Sequence, residues 1–555
     1  MARRAIIRTV LASAVALQGL PTAGAQSPLT DSVRSRIDQV FARFDHTTTP
    51  GCALGVGQNG AVVYERGYGM SDLQHGLSIT PSSIFHVASI SKQFAAAAVG
   101  LLAEEGRLSL DDDVRKYITE VPDHGHRITI RQLIHHTSGL RDQWSLLAYS
   151  GWRSDDVINE QDVLDVVSRQ RGLNFVPGAE YVYSNTGYTL LGVIVKRVTG
   201  KSLRQFTHER FFMPLGMDDT HFHDDHTMIV PRRTSAYQQR GSGWSISIPV
   251  FDTYGATSLF TTPRDLLTWM AQLDKPSVTS ARLIREMETS AILTDGTPTN
   301  YGFGLSIGRY RGLRVVGHSG ADAGYRAHAE RYPDRGLGVV VLCNASISNP
   351  SALARRVADA IFGSTVPAEA VAVDTTRGTM SPEARARWAG TYRDPVSRGV
   401  LRVRLIGDTI ALGDGRRLVP ANDTTAFAPG GNQSFTLQRA GGAVSGISVA
   451  PRGTRNVFFR REPPFTPDRR ALASFVGAYR SDELETAYQV VETDSGLVLR
   501  RRRMADVRIE PSAPDAFTLP FGSALEFARG PGNRFTGFVL FDGRVRGVRF
   551  VRVSP

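Results

Sequence analysis

Apolar positions along this chain follow a strand rhythm at first, then a helical one, then a strand rhythm again. Gly51-Cys52-Ala53-Leu54-Gly55-Val56 and Ala61-Val62-Val63-Tyr64 are short apolar runs on either side of Gln58-Asn59-Gly60. Asn-Gly between two such runs predicts a hairpin, because its tight turn needs positive φ. Residues 92–105 are alanine-rich and predict a helix, with Gly106 as its left-handed stop. Helical spacing also runs through 162–169 and 189–198. Strand-like runs return at 313–316, 325–332 and 337–343. Strands at both ends with helices between predict one sheet closed by the two ends of a domain spanning 29–362.

The texture then changes. Gly, Ser, Thr, Pro and Ala dominate 363–380, which predicts a linker over 363–383. Beyond it lie short strands with Gly, Asp and Asn at the turns. Trp388-Ala389-Gly390-Thr391-Tyr392-Arg393 recurs as Phe475-Val476-Gly477-Ala478-Tyr479-Arg480. Each unit closes on an apolar-basic strand, Val457-Phe458-Phe459-Arg460 and Val548-Arg549-Phe550-Val551-Arg552. Two small antiparallel β-barrel-like domains are expected, 384–464 and 465–555, split near Pro463-Pro464. The arginine run 500–503 reads as a solvated strand or turn of the second.

At 555 residues, the length suits about three domains. With 41% apolar and 21% charged residues, the chain is not a disordered, collagen-like or polytopic membrane protein. Two cysteines exclude a disulfide-dense scaffold and a four-cysteine zinc site. The net charge of +12 sits at one end: 27 arginines against 16 acids from 384 to 555 leave +11 there. Such asymmetry points to a polyanion. The N-terminus argues against nucleic acid. Arg3, Arg4 and Arg8 precede an apolar run at 10–20 and the small residues Ala23-Gly24-Ala25. That pattern predicts a cleavable signal peptide over 1–25 and a periplasmic or secreted protein. An anionic cell-envelope polymer is then the polyanion expected.

Three short motifs carry candidate chemistry. In Ser89-Ile90-Ser91-Lys92, serine and lysine share one face of a helix. A serine there lies among free backbone N–H groups, and a desolvated lysine can take its proton. In Tyr183-Ser184-Asn185, a tyrosine can relay a proton and a carboxamide can hold a substrate amide. In His318-Ser319-Gly320, histidine can orient a substrate and glycine permits close backbone approach. Taken alone, each motif reads first as ordinary structure: an N-cap with a surface lysine, a turn, and a solvated strand end.

In this order the three resemble the serine β-lactamase and penicillin-binding-protein superfamily. They are most similar to the branch of class C β-lactamases, D-alanyl-D-alanine carboxypeptidases, D-aminopeptidases and related esterases. Residues 130–140, 177–192 and 213–217 are similar to segments of that branch. The resemblance implies an α/β catalytic domain of β-lactamase type: an antiparallel sheet, flanking helices and a helical subdomain. It implies Ser89 as the nucleophile of an acyl-enzyme, with Lys92 and Tyr183 sharing the proton transfers. Asn185 would position the substrate amide, His318 and Gly320 would line the substrate, and the backbone N–H groups of Ser89 and Ala321 would hold the oxyanion. His318 departs from the lysine usual in true β-lactamases and looks more like the peptidase members. The two C-terminal domains resemble the D-aminopeptidase layout. The substrate implied is a small peptide, ester or β-lactam-like compound, with no cofactor. The alternatives are a weak β-lactamase, or a non-catalytic penicillin-binding sensor whose tail binds a polyanion.

His221-Phe222-His223-Asp224-Asp225-His226 matches a metallo-hydrolase pattern and suits zinc in residue type. It follows the 213–217 turn in loop-like sequence, so a solvated loop and no metal are expected. Cys52 starts the first predicted strand and Cys343 ends the last. In the family those strands are neighbours, which implies proximity and, in an oxidising compartment, a possible disulfide.

Overall fold

The computed structural model describes residues 29–363, 365–366, 379–428, 433–451 and 456–553. The expected signal peptide lies outside them, as do 364 and 367–378 of the expected linker. The rest of that linker is structured. Met380 is buried in the first barrel's core, and Ser381 caps a helix that begins at Pro382.

The first domain is built on a six-stranded antiparallel sheet. Its strands are β1 (Cys52–Gln58), β2 (Ala61–Tyr68), β3 (Ser306–Tyr310), β4 (Leu313–Asp322), β5 (Tyr325–Tyr332) and β6 (Leu337–Cys343). The order β3-β4-β5-β6-β1-β2 joins the two ends of the domain at the β6–β1 pair. Asn59 and Gly60 both take positive φ at the β1–β2 turn. Cys52 faces Cys343 in that register, and the two form a disulfide. β4 runs beyond the expected 313–316 to Asp322, so His318 sits mid-strand rather than at a strand end.

Both faces of the sheet are covered. On one, α1 (Asp31–Phe41) and the later helix Pro350–Phe362 pack over Leu54, Val56, Val339 and Val341. On the other lies the main core, which includes α2 (Lys92–Glu104), α3 (Gln143–Ser150), α4 (Asn185–Thr199) and α5 (Pro263–Asp274). The α2 helix is buried all round from Lys92 to Leu102, as its alanine-rich composition allows.

Among the described residues, the tail forms two nearly closed antiparallel sheets, of eight strands and nine strands. The repeated motif has the same construction in each. Tyr392 donates its hydroxyl to the Trp388 carbonyl at 2.9 Å, and Tyr479 to the Phe475 carbonyl at 2.7 Å. Arg461 and Arg552, from the closing strands, donate to the carbonyls of Ala389 and Val476 at 2.9 and 2.6 Å. Both guanidinium groups stand 5.9 Å from the tyrosine ring centres. The first barrel has its own core. The second shares one continuous core with the catalytic domain.

Candidate active site

Ser89 lies in a single 3-10 turn, Ala88–Ser91, that leads into α2. Ala88 is held at φ +47, an uncommon conformation for a residue with a side chain. Strand β4 presses against this turn. A Cβ on Gly320 would stand 2.1 Å from the Val87 carbonyl oxygen, so only glycine lets the strand come this close.

Lys92 is fully buried, as a desolvated base requires. Its Nζ lies 3.0 Å from Ser89 Oγ, 2.8 Å from Asn185 Oδ1 and 2.6 Å from the Ala256 carbonyl. Burial pushes its pKa down to about 7 and Arg544 adds to that, while Asp322 and Asp142 act in the opposite sense. The two carbonyl oxygens can only accept. A neutral amine gives them its two hydrogens and turns its lone pair to the serine hydroxyl.

The 183–185 segment is braced from behind. Asn185 donates its backbone N–H and its Nδ2 to Asp142 Oδ2 at 2.7 and 2.8 Å. The other oxygen of Asp142 caps α3 through Trp144 and Ser145. Ser184 N–H donates to His136 Nδ1 at 3.2 Å, and the His136 ring lies 4.2 Å from that of Tyr183. Burial holds the Tyr183 hydroxyl protonated, with its pKa raised despite a bond to Ser89. The Lys92 ammonium position is 4.9 Å from the Tyr183 ring centre.

His318 is buried and its pKa falls to about 3, through desolvation first and the Lys92 charge second. It is neutral at ordinary pH. Nδ1 faces the Ser319 carbonyl at 2.6 Å, so it carries the proton, and Nε2 accepts from the Tyr301 hydroxyl at 2.9 Å. At the end of β4, Asp322 is engaged by His86 Nε2 at 2.9 Å and by the Thr257 hydroxyl.

These groups line a cleft of about 700 Å³. Ser89, Tyr183, Asn185, His318, Gly320 and Ala321 all border it, with Lys92 behind Ser89. Arg544 of the second barrel borders it as well.

The Beta-lactamase family model matches residues 37–363, more than half of the chain. The chain belongs to that family. A D-aminopeptidase of Cereibacter sphaeroides is 28% identical over 514 residues, spanning 90% of this chain and 93% of its own length. A D-aminopeptidase of Brucella canis is 25% identical over 523 residues, 91% and 96% of the two chains. Among solved structures, an octameric penicillin-binding protein homologue from Pyrococcus abyssi superposes with TM-score 0.57 at 24% identity. It covers 77% of this chain and 99% of that one. These matches bear out the expected family and fold, and identify this β-lactamase-family chain as a serine hydrolase.

Several groups around the site carry no motif in the sequence. Asp142, Tyr301, Thr257 and Asp322 come from four separate segments, and Arg544 comes from another domain. The sequence signal nearest to them was 130–140, whose His136 proves to support Tyr183 and Ser184.

The histidine-rich segment corrects the expected solvated loop in part. His221–Phe222 pairs with Leu259 and Phe260 in a small sheet, and His223 is buried against Phe260. Only the end is exposed, where His226 Nδ1 lies 2.8 Å from Asp252. Asp225, His226 and Asp252 form the one group with metal-ligand spacing among the described residues, and His221 and His223 stand outside it.

Proposed function

We propose that this chain is an exported peptidase that acts on short peptides or amides of D-amino acids through an acyl-enzyme on Ser89. The observation that carries the reading is Lys92: a fully buried amine, with pKa near 7, placed 3.0 Å from Ser89 Oγ. A general base works best when its pKa lies near the operating pH. Supporting it, the D-aminopeptidase of Cereibacter sphaeroides matches along nearly all of the chain, both barrels included. A D-amino acid amidase from Ochrobactrum anthropi SV3 shares the fold of the first domain at TM-score 0.51.

In this mechanism Lys92 takes the Ser89 proton as Oγ attacks the carbonyl carbon. The backbone N–H groups of Ser89 and Ala321 receive the oxyanion. Asn185 holds the substrate amide. Tyr183, kept protonated by burial, gives its proton to the leaving amine, and the proton on Lys92 restores it. Water then attacks the ester and the steps reverse. Asp322, the one carboxylate among the described residues lining the cleft, holds His86 and Thr257 with Oδ2 and offers Oδ1 to a substrate ammonium. Export rests on the pattern of residues 1–25, and the Cys52–Cys343 disulfide suits an oxidising compartment. The arginine-rich barrels would face an anionic envelope polymer.

Intact-mass analysis after fluorophosphonate treatment tests the nucleophile. One adduct, absent in Ser89→Ala, is expected, together with release of p-nitroaniline from D-alanyl but not L-alanyl p-nitroanilide. Labelling at another residue, or none in folded protein, would sink the reading.

A further inference from the structure

The loop between the last two strands of the second barrel reaches the catalytic cleft, and its charged side chains have unequal fates. Asp542 accepts from the Tyr149 hydroxyl at 2.9 Å. Arg546 pairs with Glu180 at 3.1 Å. Arg544, between them, has a guanidinium with no hydrogen-bond or ion-pair partner among the described residues. It stands 5.0 Å from the Tyr183 ring centre and lines the cleft with Ser89.

The backbone that carries this cation is held in place. The Arg544 carbonyl accepts from Asp142 N–H at 3.2 Å and from Asn174 Nδ2 at 2.8 Å. Val545, next to it, is fully buried. The Asp142 carboxylate holds Asn185, so the backbone that carries Arg544 is fixed relative to the reacting groups. No carboxylate among the described residues lining the cleft pairs with the guanidinium. Asp322 is engaged by His86 and Thr257. His318 is neutral. The second cation of the lining, Arg326, spends one nitrogen on the carbonyls of Ala323 and Tyr325. A planar guanidinium with free donors, anchored beside a reactive centre, is suited to a carboxylate.

The geometry points to Arg544 as the anchor for a substrate carboxylate: the amides this chain cleaves best bear a free carboxylate on the leaving amine or on the acyl half. This rests on the peptidase reading above and adds a substrate class to it. The stacking of Arg544 on Tyr183, the proton donor to the leaving amine, favours the first position.

Two matched pairs of compounds separate the two positions in the full-length protein. D-Alanyl-glycine against D-alanyl-glycinamide varies the carboxylate on the leaving amine. D-Aspartyl against D-asparaginyl p-nitroanilide varies it on the acyl half. kcat/KM is expected to favour the anionic member of one pair, and Arg544→Ala to cut that preference at least about tenfold. Arg544→Lys is expected to fall between. A preference that is unchanged by Arg544→Ala in both pairs overturns the proposal. Protection of Ser89 from the fluorophosphonate by the same compounds reads binding alone. Selective protection by an anionic member that needs Arg544, without turnover of any compound, upholds the anchor and rejects the peptidase reading. Protection that ignores charge rejects the anchor whatever the turnover.

Discussion

Arg141 of the catalytic domain and Glu483 of the second barrel form an ion pair that is sealed from solvent on both sides, at 4% and 6% exposure. The pair lies one residue from Asp142, and Arg141 also donates Nε to the Arg546 carbonyl at 3.0 Å. Burial alone drives the Arg141 pKa down, and Glu483 holds the charge in place. The barrel is therefore bolted to the residue that supports Asn185.

Removing one half of a buried pair leaves the other charge stranded, at a cost of about 3–5 kcal/mol. Glu483→Ala is expected to lower Tm and kcat/KM together. Arg480→Ala, whose partner Asp482 is exposed, is the comparison and is expected to change stability by less than about 1 kcal/mol. Thermal denaturation and steady-state kinetics on both variants check this.

The pH dependence follows from Lys92. Its base form exists above a pKa of about 7, so kcat/KM is expected to rise through an acid limb near that pH. Arg544 is one of the charges that depress this pKa. Its removal is expected to move the limb to higher pH. A limb that stays in place in Arg544→Ala would show that the two groups do not sense each other.

His318 gives a spectroscopic prediction. Its pKa of about 3 keeps the ring neutral, with the proton on Nδ1, through the whole working range. Nitrogen NMR of the ring is expected to show one tautomer from pH 5 to 8. Titration of His318 in that interval would contradict the assignment.

The motif residues were legible in the sequence because each motif is local. Ser89 and Lys92 share one helical turn, and Tyr183 and Asn185 flank one residue. What holds them was not legible. Asp142 reaches Asn185 across 43 residues, and Glu483 reaches Arg141 across 342. No periodicity encodes such partners, since packing alone brings them together. The two barrels were legible as a repeat, but not the tyrosine-to-carbonyl bond that the repeat preserves. His223 was misread because its burial comes from a strand, Leu259–Thr261, that is remote in the chain.

The disulfide is expected to stabilise the first domain. It joins residues 291 apart, and closing a long loop restricts the unfolded chain. Cys52→Ala with Cys343→Ala is expected to lose about 2–4 kcal/mol while keeping Ser89 reactive. Denaturant unfolding of the double variant, with fluorophosphonate labelling as the activity control, measures both.

The core shared by the second barrel and the catalytic domain sets the order in which the molecule is completed. A chain made from its N-terminus holds Ser89, Lys92, Tyr183 and His318 long before Arg544 emerges. Arg141 has no counter-ion until Glu483 emerges, and the wall formed by Asp142 and Asn174 lacks the loop that caps it until Arg544 follows. The shared core is thus complete only once Arg546–Val553, the last of the described strands, is laid down.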